Sequence, residues 1–178
     1  FACVISNRFD QVKHSYAAYG DLRYEIADRT TLRGGLRFTR DDGHQAGLTA
    51  DIRGVDGVLV ATSIPPTDRR FRTRNLSGKI GIDHKFGDGT LVFASYGRGY
   101  RGSGFNAQAY FDVSEANVAK PEQIDAFESG VKAELAGRAL SVSLTGFYYI
   151  YRNQQFLSVN PSNAAQNLVN LDHSPTSS

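Results

Sequence analysis

Residues 15–26 read Ser-Tyr-Ala-Ala-Tyr-Gly-Asp-Leu-Arg-Tyr-Glu-Ile, and this stretch decides the fold. Tyr16, Leu22 and Tyr24 fall on one parity, whereas Asp21 and Arg23 fall on the other. Alternation of apolar and polar residues is typical of a β-strand with one dry face and one wet face. The stretch therefore predicts a strand.

Five further runs predict five further strands, although one of them is apolar on both parities at Leu91-Val92-Phe93-Ala94 and so does not predict which way its faces point. The five runs lie at 31–39, 75–86, 90–101, 123–135 and 140–150. Short turn signals join these runs in pairs, namely Ala27-Asp28-Arg29, Gly87-Asp88-Gly89 and Ala136-Gly137-Arg138. The sequence thus predicts three hairpins.

Long irregular stretches separate the three hairpins. The alternation dissolves into Gly, Asp, Thr and Pro over residues 41–72, and again over 102–122. Both stretches are predicted to be long loops. After about Arg152 the pattern is lost in Asn, Gln, Ser and Pro. The connections therefore follow the order short, long, short, long, short.

Strand length favours a membrane setting. A strand of about twelve residues rises about 40 Å at about 3.3 Å per residue, which is twice the usual length in soluble proteins. A strand that crosses a bilayer at a tilt needs about 9–11 residues. We therefore predict an all-β fold, an antiparallel transmembrane β-barrel segment of about six long strands joined by alternating short turns and long loops. Alternation alone leaves open a soluble β-sandwich binding module, whose apolar face would meet a second sheet.

Composition excludes several classes of protein. The 178 residues carry a formal charge of +2, so nucleic acid is not an expected partner. One Cys provides no disulfide framework. No uninterrupted apolar stretch reaches the length of a transmembrane helix. The chain begins at Phe1 without a signal-like segment, and we expect it to be a processed product or a fragment.

Motifs for catalysis or cofactor binding are weak. The four histidines, at 14, 44, 84 and 173, lack the paired spacing of a zinc site. Gly97-x-Gly99-x-x-Gly102 has the letters of a dinucleotide fingerprint but no predicted helix after it. Glu128 and Lys132 share a strand parity, which favours a charge ladder over acid–base chemistry. We therefore expect no enzyme activity, no cofactor and no metal site.

Two groups of residues are candidate ligand contacts. Arg69, Arg70, Arg72 and Arg74 form a basic cluster where a predicted loop returns to a strand. This cluster could attract an anionic ligand or the phosphates of lipopolysaccharide, or it could simply solvate a strand end. The second group lies at the next predicted loop. The candidate contacts are Arg69, Arg70, Arg72, Arg101, Phe105, Asn106 and Tyr110.

Three segments resemble a known family, the TonB-dependent receptors. Gly35-Leu36-Arg37-Phe38-Thr39 matches a Gly-Leu-Arg-aromatic-Thr signature of that family. Residues 96–106 resemble its strand-to-loop segment ending in Gly-Gly-Phe-Asn, with Ser103 in place of the first Gly. Residues 121–149 match in order and spacing, through Pro-Glu, Phe-Glu-Ser-Gly-Val-Lys and Phe-Tyr-Tyr. The resemblance covers residues 14–157, and the chain departs from the family pattern from Asn167 onward.

The resemblance implies a partial receptor. Residues 1–178 would be part of a barrel of about 22 strands, without its N-terminal plug domain and its remaining strands. Such receptors lie in the bacterial outer membrane, contact its lipid and lipopolysaccharide, and import scarce small molecules such as iron–siderophore complexes. TonB supplies the energy through the full-length protein. A passive porin-like channel shares the strand pattern and remains an alternative.

Overall fold

The computed structural model describes residues 3–87, 89–137, 139–161 and 164–177, with side chains described as far as Asp172. Seven long strands form one antiparallel sheet, in the order β1-β2-β3-β4-β7-β8-β9. Two short strands pair separately. The strands are β1 Cys3–Ala27, β2 Thr30–Gly54, β3 Leu59–Lys85, β4 Leu91–Arg101, β5 Gly104–Phe105, β6 Val118–Ala119, β7 Glu122–Leu135, β8 Leu140–Val159 and β9 Gln166–Ser177.

The predicted fold class is confirmed, and the three short turns lie where the sequence places them. β1 turns into β2 through Asp28 and Arg29, where Arg29 has a φ of 58°. The second turn includes Gly89 at φ 92°, and the third includes Gly137 at φ 63°. Glycine adopts these left-handed conformations without strain. Of the predicted turn residues, Asp88 and Arg138 lie outside the described residues.

The predicted loop at 41–72 is wrong, because the chain continues as two paired strands. β2 runs on to Gly54 and β3 begins at Leu59, with register shifts near Leu48 and Ala50. Pro65 and Pro66 fall at these shifts, where a missing N–H breaks no regular ladder. Both faces of this extension carry polar residues, so the alternation that marks a strand is absent from the sequence.

The predicted end of regular structure near Arg152 is also wrong. β8 continues to Val159, and β9 pairs with it from Gln166 to Ser177. This seventh long strand is hidden in the sequence because Asn, Gln and Ser occupy both parities. Ser162 and Asn163, in the connection between the two strands, lie outside the described residues.

The predicted irregular stretch after β4 is confirmed as a long connection, although it is folded. Residues 102–121 contain β5, a 3-10 turn at Val113–Glu115 and β6, and we call these residues the docked segment. Asp112 begins the 3-10 turn, where its side chain accepts a hydrogen bond from the Ser114 N–H at 2.8 Å. Hydrogen bonds from the side chain of Ser114 and from its backbone N–H together hold the pKa of Asp112 below its usual value.

The sheet is open at both ends. Among the described residues, β1 and β9 each pair with one long strand and not with one another. In the part of the chain that the structure describes, no helix is long and apolar enough to cross a membrane. The described structure therefore consists of one sheet of long strands and of one folded connection, the docked segment.

Candidate functional site

The strand register divides the sheet into two chemically different faces. Paired residues of neighbouring strands point to the same side, and alternate residues point to opposite sides. One side, the apolar face, carries exposed large hydrophobic residues on every long strand from β1 to β8: Tyr16, Leu22, Tyr24, Leu36, Phe38, Leu76, Ile80, Ile82, Val92, Phe127, Val131, Leu144 and Tyr148. Leu144 is 74% exposed and Leu36 is 64% exposed. Such a broad exposed apolar surface indicates contact with lipid or with another apolar surface.

The opposite side, the polar face, carries paired charged and hydroxyl groups. Arg33 forms an ion pair with Asp83 on the neighbouring strand. The Tyr149 hydroxyl donates to Glu128 at 2.7 Å, and the Lys132 ammonium lies 5.8 Å from the centre of the Phe93 ring. Glu128 and Lys132 therefore share the polar face, as their spacing predicts.

The docked segment covers the polar face at the end of the sheet where the long connections lie. The Phe105 ring packs on Phe71 with their centroids 5.0 Å apart. Beside it the Arg69 Nε donates to the Ala116 carbonyl at 2.5 Å. A small core forms below the segment, and its fully buried members are Leu48, Ala50, Ile64, Ala109 and Ala116. The extended hairpin of β2 and β3 thus provides the surface on which the segment packs.

A buried carboxylate organises the docked segment. Glu115 is 0% exposed. Its Oε2 accepts the backbone N–H groups of Tyr110 at 2.6 Å and Phe111 at 3.1 Å. Its Oε1 accepts the N–H of Gln166, on β9, at 3.3 Å. Hydrogen bonds to an ionised acceptor are stronger than neutral ones, so this one side chain fixes the tip of the segment to the last strand.

Side-chain amides connect the docked segment to β8 and β9. Asn106 donates to the carbonyls of Glu115 at 2.9 Å and Gln166 at 2.6 Å. Asn170 accepts from the N–H of Lys120 at 2.9 Å and donates to its carbonyl at 3.0 Å. Asn117 pairs with the backbone of Leu168, and Gln155 donates to the carbonyls of Gly102 and Lys120. Amides suit this role because each one both donates and accepts.

The predicted ligand contacts do not form one cluster. Arg69 and Phe105 hold the docked segment, and Asn106, only 3% exposed, bonds to backbone groups. The Tyr110 carbonyl accepts from the Ser63 hydroxyl at 2.5 Å, while its ring is partly exposed. Arg101 is exposed at the end of β4. These five residues belong to the polar face or to the segment that covers it.

Arg70 and Arg72 lie on the other side of the sheet. They share the apolar face with Arg74 on β3 and with Arg40 on β2, because Arg40 pairs with Arg74 and Asp42 with Arg72. We call Arg40, Arg70, Arg72 and Arg74 the arginine cluster. Residues 69–74 look like one basic patch in sequence, but the two-residue period of the strand places Arg69 on the opposite face.

One carboxylate links two members of the arginine cluster. Asp42 accepts from the Nε of Arg72 at 2.6 Å and from the Nε of Arg40 at 2.9 Å. Asp68 lies at the outer end of the cluster, where it accepts the Gly47 N–H at 2.8 Å and faces the His44 Nε2 at 3.8 Å. The Gly47 hydrogen bond holds the pKa of Asp68 below its usual value. The cluster borders an open groove of about 710 Å³, which His14 and His44 also line.

A second charged group lies on β4, β7 and β8. Asp125, 3% exposed, accepts from Arg98 at 2.6 and 3.1 Å, from the Tyr96 hydroxyl at 2.7 Å and from Arg152 at 2.6 Å. Arg98 pairs with Asp125, two residues along from the pair of Tyr96 and Phe127, so all four side chains lie on the apolar face. The sequence prediction missed Asp125 and Glu115, since single carboxylates in irregular or mixed stretches give no pattern.

Neither group has the arrangement of a metal or catalytic centre. Within the described residues, no three His, Cys, Asp or Glu side chains are placed to hold a metal ion. Gly97–Gly102 runs from β4 into the docked segment, and no α-helix follows it in the described part of the chain. The chemistry available is hydrogen bonding, ion pairing and apolar contact.

Long antiparallel strands with one exposed apolar face and one polar face define the wall of a membrane β-barrel as the class of protein. The family described as TonB dependent receptor-like, beta-barrel matches residues 4–176. This chain therefore belongs to the β-barrel family of TonB-dependent receptors, a family of transport receptors and not of enzymes. The match extends past the residues 14–157 covered by the motifs, so the predicted departure from the family after Asn167 is wrong.

Three solved structures are similar to this fold. The ferric yersiniabactin uptake receptor FyuA from Yersinia pestis is 21% identical, with a TM-score of 0.63 over 85% of this chain. The copper transporter OprC is 21% identical, with a TM-score of 0.67 over 92%. The siderophore receptor PiuA from Acinetobacter baumannii is 22% identical, with a TM-score of 0.66 over 95%. The chain covers 22%, 25% and 22% of those chains, respectively, and so spans about a quarter of their length.

Proposed function

We propose that this chain forms part of the barrel wall of an outer-membrane receptor, which imports a scarce small molecule such as an iron–siderophore complex and is energised through TonB. The observation that carries the proposal is the contrast between the faces. Large hydrophobic side chains cover one face, whereas a folded connection covers the end of the other. A lipid-facing exterior and a ligand-accessible interior require this contrast.

The proposal includes the rest of the barrel. Seven long strands leave the sheet open, and a sheet in hydrocarbon must close so that no backbone edge meets lipid. Further strands and a plug domain would complete the wall in the full-length receptor. Loops at the docked-segment end would form part of an extracellular ligand vestibule, and TonB would act from the opposite side.

Arg101 and Tyr110 are the ligand contacts that we propose among the predicted residues. Arg101 is exposed at the end of β4, and the Tyr110 ring is partly exposed on the docked segment. Their guanidinium and phenol groups suit an anionic metal chelate with aromatic or oxygen-rich donors. Arg69, Phe105 and Asn106 would act indirectly, since their contacts hold the segment in place.

The lipid exposure of the apolar face is tested by a pair of adjacent substitutions in the full-length receptor. We expect Leu144→Arg to destabilise the protein in phospholipid vesicles by about 2–4 kcal/mol, the penalty for arginine on a lipid-facing surface near the bilayer midplane. Ser143→Arg, on the polar face, is the matched control and should have little effect. Urea unfolding monitored by tyrosine fluorescence measures both. Equal effects, or a monodisperse monomer in buffer without detergent, would exclude the membrane wall and favour a soluble sandwich.

Transport is tested in cells that lack other receptors. The full-length receptor should accumulate radioactive iron supplied as a catecholate, a hydroxamate or a yersiniabactin complex, and accumulation should stop when TonB is deleted. Copper ions provide a fourth probe. Arg101→Ala should raise the half-saturating concentration of the accepted probe. Arg23→Ala is the control and should not, because Arg23 is an exposed polar-face residue of β1 at the short-turn end of the sheet, away from the docked segment. Uptake that continues without TonB would support a passive channel instead.

A further inference from the structure

We propose that Glu115 and Ser63 are positioning residues, which hold the rings of Tyr110 and Phe111 as one rigid aromatic platform for the ligand. This inference rests on the proposed function, because it takes Tyr110 as a ligand contact and identifies the residues that fix its place. Glu115 lies in the 3-10 turn of the docked segment, and Ser63 lies on β3. Such a platform fits a chelate that carries a planar aromatic group.

The platform consists of two adjacent rings on the docked segment. The centroids of the Tyr110 and Phe111 rings lie 6.4 Å apart, and the ring planes meet at 61°. This edge-to-face arrangement is one that aromatic pairs prefer. Phe111 is 41% exposed, and Tyr110 is partly exposed. The two rings therefore contact each other and still leave surface for a ligand.

Hydrogen bonds fix the backbone on both sides of the Tyr110 Cα atom. The Tyr110 N–H donates to the Glu115 Oε2 at 2.6 Å, and the Tyr110 carbonyl accepts from the Ser63 hydroxyl at 2.5 Å. The Phe111 N–H donates to the same Oε2 at 3.1 Å. The Ser63 hydroxyl also lies 3.2 Å from the Ala50 carbonyl, so its one proton has two acceptors, of which Tyr110 is the nearer. Both peptide groups beside the Tyr110 Cα are thus restrained, and with them the direction in which the side chain leaves the backbone.

The restraint connects the platform to the sheet. Glu115 is 0% exposed, so water does not compete for its carboxylate, and its Oε1 accepts the N–H of Gln166 on β9. Asn7 on β1 donates to the carbonyl of Ala109, the residue before Tyr110, at 3.4 Å. A group that is held in place before the ligand arrives loses less conformational entropy when the ligand binds. Glu115 and Ser63 therefore contribute to affinity through the rings, without a contact of their own to the ligand.

The experiment measures the dissociation constant of an aromatic probe with the full-length receptor. The probe is radioactive iron bound as a tricatecholate complex, and filter binding measures its affinity for receptor purified in mild detergent. We expect Ser63→Ala to raise the dissociation constant about fivefold and Glu115→Gln about tenfold, because the released backbone must be ordered again on binding. Thr62→Ala is the matched control, since the Thr62 hydroxyl donates to Asp51 at 3.1 Å and not to the docked segment. Binding by Ser63→Ala as tight as that of the wild type would overturn the proposal.

Uptake kinetics separate a positioning role from a folding defect. In cells, Ser63→Ala should raise the half-saturating concentration of the tricatecholate complex and leave the maximal rate and the amount of receptor in the outer membrane unchanged. A poorly folded receptor would lower the maximal rate and the amount instead, and that result would contradict positioning. Ser63→Thr keeps the hydroxyl and should restore the half-saturating concentration of the wild type.

A double-mutant cycle tests whether Ser63 acts through the rings. When Tyr110 and Phe111 are both replaced by alanine, Ser63→Ala should cause no further loss of affinity. An equal loss in both backgrounds would overturn the proposal, and so would binding only of iron complexes without aromatic rings, such as a trihydroxamate. If replacement of the two rings changes nothing, this inference fails, whereas accumulation that depends on TonB would still support the proposed receptor function.

Discussion

The two faces of β3 at residues 69–75 meet different surroundings, although their residues alternate along one strand. On the polar face, Arg69 and Phe71 hold the docked segment, and Asn75 is buried. On the apolar face, Arg70 and Arg74 are exposed, and Arg70 lies near the Asp68 carboxylate. One strand therefore fixes an internal connection with one set of residues and offers a charged outer surface with the other. The comparison teaches that a basic run in a strand has to be divided by parity before it is assigned a ligand.

The largest effect is expected when the docked segment is released from the polar face, since this removes the difference between the two faces of β3. Glu115→Leu removes the acceptor of three backbone N–H groups in a buried place. Each unpaired buried donor costs about 1–3 kcal/mol, so we expect docking to weaken by roughly 3–5 kcal/mol. Hydrogen exchange at the amides of Tyr110 and Phe111 in the full-length receptor measures this change. The control is Glu25→Leu, an exposed glutamate on the polar side of β1.

Two outcomes separate the roles of the faces after that substitution. Faster exchange is expected only in the docked segment and at Gln166, with unchanged exchange on the apolar side of the sheet. Unchanged protection of Tyr110 and Phe111 would show that the Phe105 contact and the small core suffice to hold the segment.

The sequence predicts the part of the wall in which one parity is apolar. Residues 15–26 alternate strictly, and β1 contains them in full. The extension of β2 and β3 was missed because its two faces are both polar, as Asp41 beside Asp42 illustrates. β9 was missed for the same reason, since Asn167 and Asn170 fall on opposite parities. Hydrophobic periodicity therefore identifies the part of a strand that has one apolar face, in contact with lipid or with a core. It does not identify where the strand ends.

The sequence predicts some residues of the candidate site, but not how they are arranged. The arginines stand out in the sequence, but their separation onto two faces requires the strand register, and the stretch had been predicted to be a loop. Asn106 is a candidate ligand contact in the sequence because it lies in an irregular segment, yet its amide donates to the backbone carbonyl of Gln166, 60 residues later in the chain. Glu115 gives no recognisable sequence signal, because it lies in an irregular segment and its partner Gln166 becomes a neighbour only when β9 pairs with β8.

A smaller effect is expected from the link between the docked segment and β9. Asn170→Ala removes hydrogen bonds to the N–H and carbonyl of Lys120 and to the carbonyl of Asn153. A hydrogen bond in a partly exposed place contributes about 0.5–1.5 kcal/mol, so we expect a loss of about 1–2 kcal/mol in docking. Exchange of the Lys120 amide measures the change. Asn167→Ala is the control on the same strand, and an equal effect of both would mean that β9 acts through its backbone alone.

The smallest expected effect concerns pH at the outer end of the arginine cluster. The Asp68 carboxylate accepts the Gly47 N–H, faces His44 and lies near Arg70, and the Gly47 bond is the main reason why its pKa is lowered. A carboxyl whose pKa is lower in the folded state than its unfolded value of about 3.9 stabilises the fold above that value. This contribution is lost as the pH falls through the lower, folded pKa. It is small because solvent screens an exposed carboxylate. We therefore expect the Gly47 amide, after correction for intrinsic exchange, to lose protection only below about pH 4. Asp68→Asn keeps an acceptor oxygen but removes the titration, so its protection should not change with pH. Parallel curves for the two proteins would show that the carboxylate charge has no role in holding the bulge at Gly47.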